Sequence, residues 1–254
     1  MGLTLIKVAL ATKGMTLAIG SEKPGFDEAA FQAQLLAAGC PHLPITSDPD
    51  SLAKSADAVI DFTTPQATLE VARAVAKKSG IHIIGTTGFS EAQQEEIKRL
   101  ASRARIVQAG NFSLGVAALE KLVSEAAAML GDAYDIEIFE MHHKHKKDAP
   151  SGTALMLGRA AAEARKNPVL TLRVPQDNSP RKTGEIGLSY ARGGDVVGIH
   201  SVTFAGPGEI IELKHQGFNR EIYAAGALKA AHWARDKKPG LYSVRDVLAS
   251  ADNS

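Results

Sequence analysis

A cluster of cationic side chains is followed at once by residues that begin a helix. Residues 142–147 hold three histidines and three lysines, and a proline then leads into Ser151, Gly152 and Thr153. The first N–H groups of a helix lack partners within the helix, and the helix dipole adds partial positive charge there. Such a terminus binds anions, and nearby imidazoles exchange protons at neutral pH. The stretch therefore predicts a site for a small molecule with two negative charges.

Two other interpretations of this basic cluster stay open from the residues alone. A basic run is often a solvated face or a polyanion patch, but this run lies between a strand-like segment and a helix instead of in a tail. His142 and His145 could instead bind zinc. No cysteine lies nearby, no His-Glu-x-x-His pattern is present, and the flanking lysines would repel a dication. We therefore predict no metal site.

The composition limits the number of domains and the kinds of partner that this protein can have. The 254 residues are 44% hydrophobic, enough for one or two domains, and the net charge of +1 favours neither nucleic acid nor membrane surfaces. The single cysteine, Cys40, excludes an internal disulfide and fits a reducing compartment. Lys7 and Lys13 interrupt the first apolar stretch, so we expect no signal peptide, and no apolar run is long enough to cross a membrane. The expected location is the cytoplasm.

The first half of the chain alternates helix-like and strand-like segments. Helices are predicted at 3–13, 27–38, 65–78 and 90–101, and strands at 15–19, 58–62, 81–85 and 105–108. Ser90 and Gln93 resemble a capping box. Alternation of this kind predicts a Rossmann-like domain with a parallel sheet.

Three loops follow neighbouring strands of this predicted sheet, at residues 62–65, 85–88 and 109–112. In parallel sheets, ligands bind outside the carboxyl ends of the strands. Glu22 follows an earlier strand, where an acidic residue binds a ribose hydroxyl of NAD, and Lys23 is placed for the 2′-phosphate of NADP. The sequence therefore predicts a dinucleotide site that accepts NADH or NADPH.

The second half has a different pattern. A helix at 113–130 is followed by predicted strands at 135–141, 185–191, 195–204 and 209–216, with hairpin turns at 193–195 and 206–208 and a polar loop at 168–181. This predicts an α+β domain with a mainly antiparallel sheet. We expect the helix at 220–233 and the tail to return to the first domain. The predicted domains are 1–113 with 221–254, which binds the dinucleotide, and 114–220, which binds substrate.

Residues 140–154 read Glu-x-His-His-x-x-Lys-x-Asp-Ala-Pro-Ser-Gly-Thr-Ala, which resembles the signature of the 4-hydroxy-tetrahydrodipicolinate reductase family of the diaminopimelate and lysine pathway. The resemblance covers nearly the whole chain. Further matching stretches lie at 61–65, 85–89, 111–116, 184–187, 192–198, 238–242 and 246–248.

The resemblance implies a reaction and a role for each signature residue. A nicotinamide delivers hydride to ring carbon C4 of the cyclic substrate, water leaves, and a protein acid supplies a proton. By resemblance, Ser151, Gly152 and Thr153 hold one substrate carboxylate and His143 contacts the substrate. His142 and Lys146 are the proton-transfer candidates, since histidine titrates near neutrality and a lysine among cations gives up its proton more readily. The resemblance also implies a homotetramer assembled through the second domain.

The resemblance assigns the three loops and Gly2 to the dinucleotide, in addition to Glu22 and Lys23. The residues expected to bind it are therefore Gly2, Glu22, Lys23, Phe62, Gly85, Thr86, Thr87, Ala109, Gly110, Asn111 and Phe112. Compared with the family, the first strand and most of the glycine-rich turn are missing before Leu3. We expect that the recorded chain starts about 15 residues late, since a strand of about 5–6 residues and its turn are absent. Two rival hypotheses are a dicarboxylate-binding homologue without cofactor binding, and another oxidoreductase such as a homoserine dehydrogenase.

Overall fold

The computed structural model describes residues 1–40, 42–166, 170–172 and 180–249. The chain divides into two compact units. Unit 1 comprises Met1–Ser113 and Arg220–Ser254, and unit 2 comprises Leu114–Asn219.

The helices and strands follow one another in the order α1 Gly2–Ala11, β1 Gly20–Ser21, α2 Glu28–Ala37, β2 Ile45–Thr46, α3 Pro49–Ser55, β3 Ala58–Asp61, α4 Pro65–Lys77, β4 Ile81–Ile84, α5 Glu91–Ala101, β5 Arg105–Gln108, α6 Leu114–Leu130, β6 Asp135–His142, α7 Gly152–Ala164, β7 Leu170–Leu172, β8 Ile186–Arg192, β9 Gly198–Gly206, β10 Glu209–Gly217, α8 Glu221–Ala234, β11 Gly240–Tyr242 and α9 Val244–Ala249. A short 3-10 turn, Gly131–Ala133, precedes β6.

The main sheet of unit 1 is parallel and has the strand order β11-β5-β4-β3. Its strands are short and apolar, and β4 is buried on both faces, as expected for a parallel sheet covered by helices. Helix α5 starts at a complete capping box formed by Ser90 and Gln93, which confirms that prediction. Helices α4 and α5 bury Leu69 and Ile97 in a core shared with β3, β4 and β5. The predicted Rossmann-like parallel sheet is confirmed.

The prediction of a strand at 15–19 is wrong. That segment has no regular hydrogen-bonding pattern, and the following residues form β1, which pairs only with β2. An apolar segment becomes a strand only where another strand offers a ladder of partners. Within the residues that the structure describes, the edge of β3 away from β4 has no strand partner.

Unit 2 is built on a mixed sheet with the order β10-β9-β6-β8-β7. The β10-β9-β6 side is antiparallel, as predicted, whereas β8 runs parallel to β6 and to β7. Along β6 the side chains alternate between buried and more exposed positions. Ile136 and Ile138 pack with residues of α6 and α7 in one apolar core, so the helices cover one face of the sheet.

Two details of unit 2 differ from the sequence prediction. The turn at 193–195 does not form a hairpin, because β8 and β9 lie on opposite sides of β6. The residue types of a turn indicate that the chain changes direction there. They do not determine which strand will pair with the strand that follows the turn. The hairpin at 206–208 does form, between β9 and β10. Residues 170–172 of the predicted polar loop are a strand, and residues 168–169 and 173–179 of that loop lie outside the described part.

Candidate active site

The signature residues run from the end of β6 to the start of α7. Because side chains alternate along a strand, Glu140 and His142 point to the same helix-covered face as Ile136 and Ile138. The chain then leaves the sheet and re-enters regular structure at Ser151, which is the N-cap of α7. The site is therefore held between the end of one rigid strand and the start of one rigid helix.

Glu140 is the buried centre of this site and has no exposed surface. Its carboxylate lies 2.5 Å from Nδ1 of His142 and accepts two hydrogen bonds of 2.9 Å from the Arg192 guanidinium. It also accepts a hydrogen bond of 3.0 Å from the Ser151 N–H. Burial raises the pKa of Glu140, but the hydrogen bonds from His142, Arg192 and Ser151 outweigh it and bring the pKa to about 2. Glu140 is therefore ionised at neutral pH.

His200 and Ser151 complete the buried part of the site. The His200 ring lies edge-on to the His142 ring, with centroids 5.1 Å apart. Burial, with the nearby positive charge of His142, lowers the pKa of His200 to about 3, so its ring is neutral at pH 7. The Ser151 hydroxyl accepts from the Ala154 N–H at 3.2 Å and lies 3.2 Å from Nε2 of His200. A hydroxyl can both donate and accept, so this contact suits either tautomer of the His200 ring.

Gly152 and Thr153 are the first two residues of α7. Gly152 is exposed, and a Cβ added there would meet no atom within 4 Å. Its N–H donates to no group in the described part of the chain, as is usual for the first residue of a helix. The space in front of this N–H is therefore open to an anion.

The loop between His142 and Ser151 carries the remaining signature cations. The Lys146 ammonium lies 2.9 Å from the carboxylate of Asp148, so its nearest ionic partner is an anion instead of the surrounding cations that the sequence suggested. Burial raises the pKa of Asp148, but the hydrogen bond and charge of Lys146 hold the pKa below its ordinary value. The ring centroids of His143 and His145 lie 6.3 Å apart, and the two rings are tilted relative to each other.

In unit 1, the loops after β3, β4 and β5 meet at the carboxyl edge of the sheet; we call residues 62–65, 85–88 and 109–112 the sheet-edge loops. The rings of Phe62 and Phe112 pack edge to face at 5.8 Å. A Cβ added to Gly85 would lie 2.2 Å from the Phe62 ring, so only glycine permits this packing. Phe112 is fully buried, so its ring helps to fix the shape of this edge of the sheet.

A buried polar network fixes two of these sheet-edge loops. The Asp61 carboxylate accepts hydrogen bonds from the Thr63 N–H and hydroxyl at 2.9 and 2.6 Å. The Thr86 hydroxyl accepts from the Thr63 N–H at 3.0 Å and from Thr68 at 2.9 Å. The Thr86 hydroxyl is therefore engaged in hydrogen bonds within the protein. The third loop is shaped by Asn111, whose side chain accepts from the Ser113 N–H at 2.8 Å.

The other residues predicted to bind the dinucleotide lie elsewhere in unit 1. Gly2 is the first residue of α1, and Glu22 and Lys23 follow β1. The Glu22 carboxylate accepts from the Lys23 N–H at 3.1 Å. Within the described residues, no hydrogen bond or ion pair joins Gly2, Glu22 or Lys23 to the sheet-edge loops.

Sequence reasoning assigned no role to Glu140, Arg192 or His200, although all three belong to the buried network. Glu140 and Arg192 stood in the matched motifs, and the alternation along β6 places Glu140 on the buried face. An ionisable residue at a predicted core position is the signal that could have identified it. Nothing comparable pointed to His200, which lies 49 residues from Ser151.

The described part of the chain, residues 1–40, 42–166, 170–172 and 180–249, contains neither a membrane-spanning helix nor a cluster of metal ligands. No helix there is both long and apolar enough to span a membrane. No three or more histidine, cysteine, aspartate or glutamate side chains gather there into a set able to hold a metal ion.

Comparison with known sequence families accounts for almost the whole chain. Residues 1–112 match the family described as dihydrodipicolinate reductase, N-terminus, and residues 115–248 match dihydrodipicolinate reductase, C-terminus. The chain belongs to the dihydrodipicolinate reductase family. Two curated relatives are both named 4-hydroxy-tetrahydrodipicolinate reductase. The protein from Beijerinckia indica is 48% identical over 98% of this chain and 93% of its own length, and that from Afipia carboxidovorans is 46% identical over 100% and 95%.

Solved structures share the fold of this chain. A dipicolinate-bound dihydrodipicolinate reductase from Paenisporosarcina sp. TG-14 superposes with a TM-score of 0.73 at 24% identity, covering 96% of this chain and 94% of that one. A myo-inositol dehydrogenase from Lactobacillus casei, in complex with NAD(H) and myo-inositol, has a TM-score of 0.62 at 10% identity over 97% and 87%. At these identities the likeness shows the fold alone.

Proposed function

We propose that this member of the dihydrodipicolinate reductase family reduces 4-hydroxy-tetrahydrodipicolinate to tetrahydrodipicolinate with NADPH or NADH, in diaminopimelate and lysine biosynthesis. Curated relatives of this name match at 46–48% identity over nearly the whole chain. The structural observation that carries the proposal is the open helix terminus at Gly152, held next to His142 by the buried carboxylate of Glu140. An anion-binding terminus beside a proton-exchanging imidazole suits a dicarboxylate that is protonated during the reaction.

The backbone N–H groups of Gly152 and Thr153 are proposed to bind one carboxylate of the substrate. The dipole of the 13-residue helix α7 favours negative charge at this end. Ser151, predicted to bind the same carboxylate, has both its N–H and its hydroxyl engaged within the protein, so we assign it to shaping this terminus. His143, half-buried on the adjoining loop, is proposed to contact the substrate.

Proton transfer is proposed to involve Lys146 and His142. When bound, a reduced nicotinamide supplies the hydride for the reaction. Lys146 carries a proton that it can donate, and the ion pair with Asp148 holds that proton in place. The Nδ1 atom of His142 faces Glu140, so Nε2 is the ring atom that exchanges a proton. We assign Lys146 as the main donor, with His142 assisting.

The residues of unit 1 fit a nicotinamide dinucleotide. Glycine at position 85 brings the backbone close to Phe62, and Gly88 has a φ of +84° with no atom within 4 Å of an added Cβ. Both glycines lie in the loop at the carboxyl ends of the parallel strands, where dinucleotides bind, and Gly88 is exposed there. The binding residues that we propose are Gly2, Glu22, Lys23, Phe62, Gly85, Thr86, Thr87, Ala109, Gly110, Asn111 and Phe112. The adjacent Glu22 and Lys23 favour use of both NADH and NADPH.

A homotetramer assembled through unit 2 is proposed because the helices in the described part of this unit pack on one face of its sheet. Phe139 and Ile210 are 41% and 69% exposed, and the strand register places both opposite the helix-covered face. Exposed apolar side chains on a sheet commonly mark a protein interface. Sedimentation of the purified protein tests this assignment, and a monomer would contradict it. The single Cys40 supports a cytoplasmic location.

The proposed function is tested by titrating NADPH and NADH against the protein with dipicolinate present, and then by measuring nicotinamide oxidation with freshly prepared substrate. Cofactor binding and turnover that depends on substrate are expected. Binding of dipicolinate without binding of either cofactor would instead identify a dicarboxylate-binding homologue. Myo-inositol with NAD serves as a control for the general dehydrogenase fold and is expected to give no turnover.

A further inference from the structure

In the described part of the chain, the carboxylate of Glu140 is contacted by three unambiguous N–H donors, from Ser151 and Arg192, and by Nδ1 of His142. One oxygen accepts from the Ser151 N–H at 3.0 Å and from Arg192 at 2.9 Å. The other lies 2.9 Å from Arg192 and 2.5 Å from Nδ1 of His142. An ionised carboxylate only accepts hydrogen bonds, whereas an amide of the same shape accepts at one atom and donates at the other. These four contacts therefore require a carboxylate.

This requirement fixes the tautomer of His142. Since Glu140 can only accept, Nδ1 of His142 carries a proton, and the lone pair of the neutral ring lies on Nε2. No residue in the described part of the chain hydrogen-bonds to Nε2. Gly198 lies beside it, and an added Cβ there would be 3.1 Å from Nε2. Glycine at position 198 therefore keeps a side chain out of the space next to this nitrogen.

We propose that Glu140 is the positioning residue of this active site, holding His142 in the Nδ1–H form and fixing the start of α7 through the Ser151 N–H. The inference rests on the proposed function, in which His142 exchanges a proton and α7 binds a carboxylate. One side chain then sets the relative placement of the proton-exchanging atom and the anion-binding terminus.

Arg192 supports this role from the other side of Glu140. Its guanidinium also donates to the backbone carbonyl of Asp148 at 2.6 Å and lies over the ring of Tyr190 at 5.1 Å. Arg192 therefore neutralises the buried carboxylate and joins it to the loop that carries Lys146. His200, opposite Glu140 on β9, closes the remaining side of His142.

The variant that tests the proposal is Glu140→Gln. In one orientation its amide NH₂ faces His142 Nδ1, which must then accept, so the ring proton moves to Nε2. In the other orientation the NH₂ faces the Ser151 N–H and the α7 contact is lost. The matched control is Glu137→Gln, three residues earlier on β6, where the carboxylate also pairs with an arginine, Arg181, but on the opposite face of the strand.

Two measurements are compared in the wild type and both variants. Nitrogen NMR of labelled histidine, at a pH where the ring is neutral, reports which His142 nitrogen carries the proton; its signal is identified by its loss in His142→Asn. Steady-state kinetics report kcat and KM. We expect Nδ1–H in the wild type and in Glu137→Gln. For Glu140→Gln we expect a shift toward Nε2–H, or a raised KM from the loosened α7, with a fall in kcat of about 10- to 100-fold.

The wild-type tautomer decides the question even if Glu140→Gln does not fold. An Nε2–H ring in the wild type would overturn the proposal, as would wild-type kcat and KM in a folded Glu140→Gln. The NMR measurement needs no turnover, so it separates this inference from the proposed function. A wild-type protein that fails to reduce the substrate but shows Nδ1–H would contradict only the function.

Discussion

The Lys146 side chain is tethered to Asp148 on a loop where Lys144 and Lys147 are exposed. If Lys146 donates the proton of the reaction, Lys146→Ala should lower kcat by about 100- to 10,000-fold, the usual contribution of a general acid. The thermal midpoint should change little, because the side chain is not part of a core. Steady-state kinetics and thermal unfolding check both expectations. Lys147→Ala is the control, and a kcat unchanged in Lys146→Ala would leave proton donation to His142.

A substitution at Gly152 is expected to affect the stability of the protein and the binding of the substrate in different ways. An alanine there has room within the protein and favours a helix over glycine by up to about 1 kcal/mol. Its Cβ would, however, occupy space in front of the anion-binding N–H. We expect Gly152→Ala to keep or raise the thermal midpoint while raising KM for the dicarboxylate at least about tenfold, which corresponds to about 1.4 kcal/mol. An unchanged KM would place the carboxylate elsewhere.

For individual residues, the sequence was sufficient to predict which side chains take part in the site, but not which side chains hydrogen-bond to one another. The spacing from His142 to Thr153 was enough to predict an anion site with proton-exchanging groups. It did not predict that Glu140 pairs with Arg192, 52 residues away, because a hydrogen-bond partner at that distance is chosen by strand register. The same reason explains why Ser151 is expected from the sequence to bind substrate, although its hydroxyl pairs with His200 in the structure.

The position of Lys23 is determined by the end of β1, which it follows by two residues. If its ammonium binds the 2′-phosphate that distinguishes NADPH from NADH, Lys23→Ala should weaken NADPH binding about tenfold or more and leave NADH binding nearly unchanged. Fluorescence titration with each cofactor measures both dissociation constants, and NADH serves as the internal control. Equal weakening of the two cofactors would remove Lys23 from phosphate recognition.

Helix α8 approaches the third sheet-edge loop at a glycine. A Cβ added to Gly226 would lie 1.8 Å from the backbone carbonyl oxygen of Phe112, which cannot rotate away. Glycine to alanine inside a helix normally stabilises by about 1 kcal/mol, but overpacking of this kind costs about 1–3 kcal/mol. We expect Gly226→Ala to lower the free energy of unfolding and to weaken cofactor binding. Urea unfolding is the measurement, with Ala225→Gly, an exposed neighbour, as the comparison for helix propensity.

Elements were predictable where local chemistry decides them. The capping box at Ser90 and the buried strands of the parallel sheet follow from short stretches of sequence. The glycines at 193–195 favour a hairpin turn. In the structure, however, β6 lies between β8 and β9, the two strands that this turn joins. The segment at 15–19 had the composition of a strand but no partner in the described residues. Strand pairing, a property of the whole sheet, decided both cases.

On the scale of the molecule, buried His200 makes stability depend on pH. Burial lowers its pKa from 6.5 to about 3, so between these values the unfolded chain binds a proton that the native chain does not. Native stability therefore falls with falling pH, by about 1.4 kcal/mol per pH unit for one proton. His200→Gln should remove this component between pH 6.5 and about 5, a range above the ordinary pKa of 4.5 for Glu140.

Urea unfolding across this pH range measures the slope directly. His232→Gln, which removes an exposed histidine of α8, controls for the loss of a titrating group without burial. A slope in His200→Gln equal to that of the wild type would mean that His200 takes up its proton in the folded protein.

Unit 2 is continuous in sequence, whereas unit 1 is interrupted by it. The strand β11 that completes one edge of the parallel sheet, and the helix α8 that packs on β3, β4 and β5, come from residues made only after all of unit 2. During synthesis, the α+β unit can therefore leave the ribosome complete and fold while the dinucleotide unit still waits for its last segments. A released chain that ends at residue 219 should contain a protease-resistant second unit, whereas its first unit should still be digested.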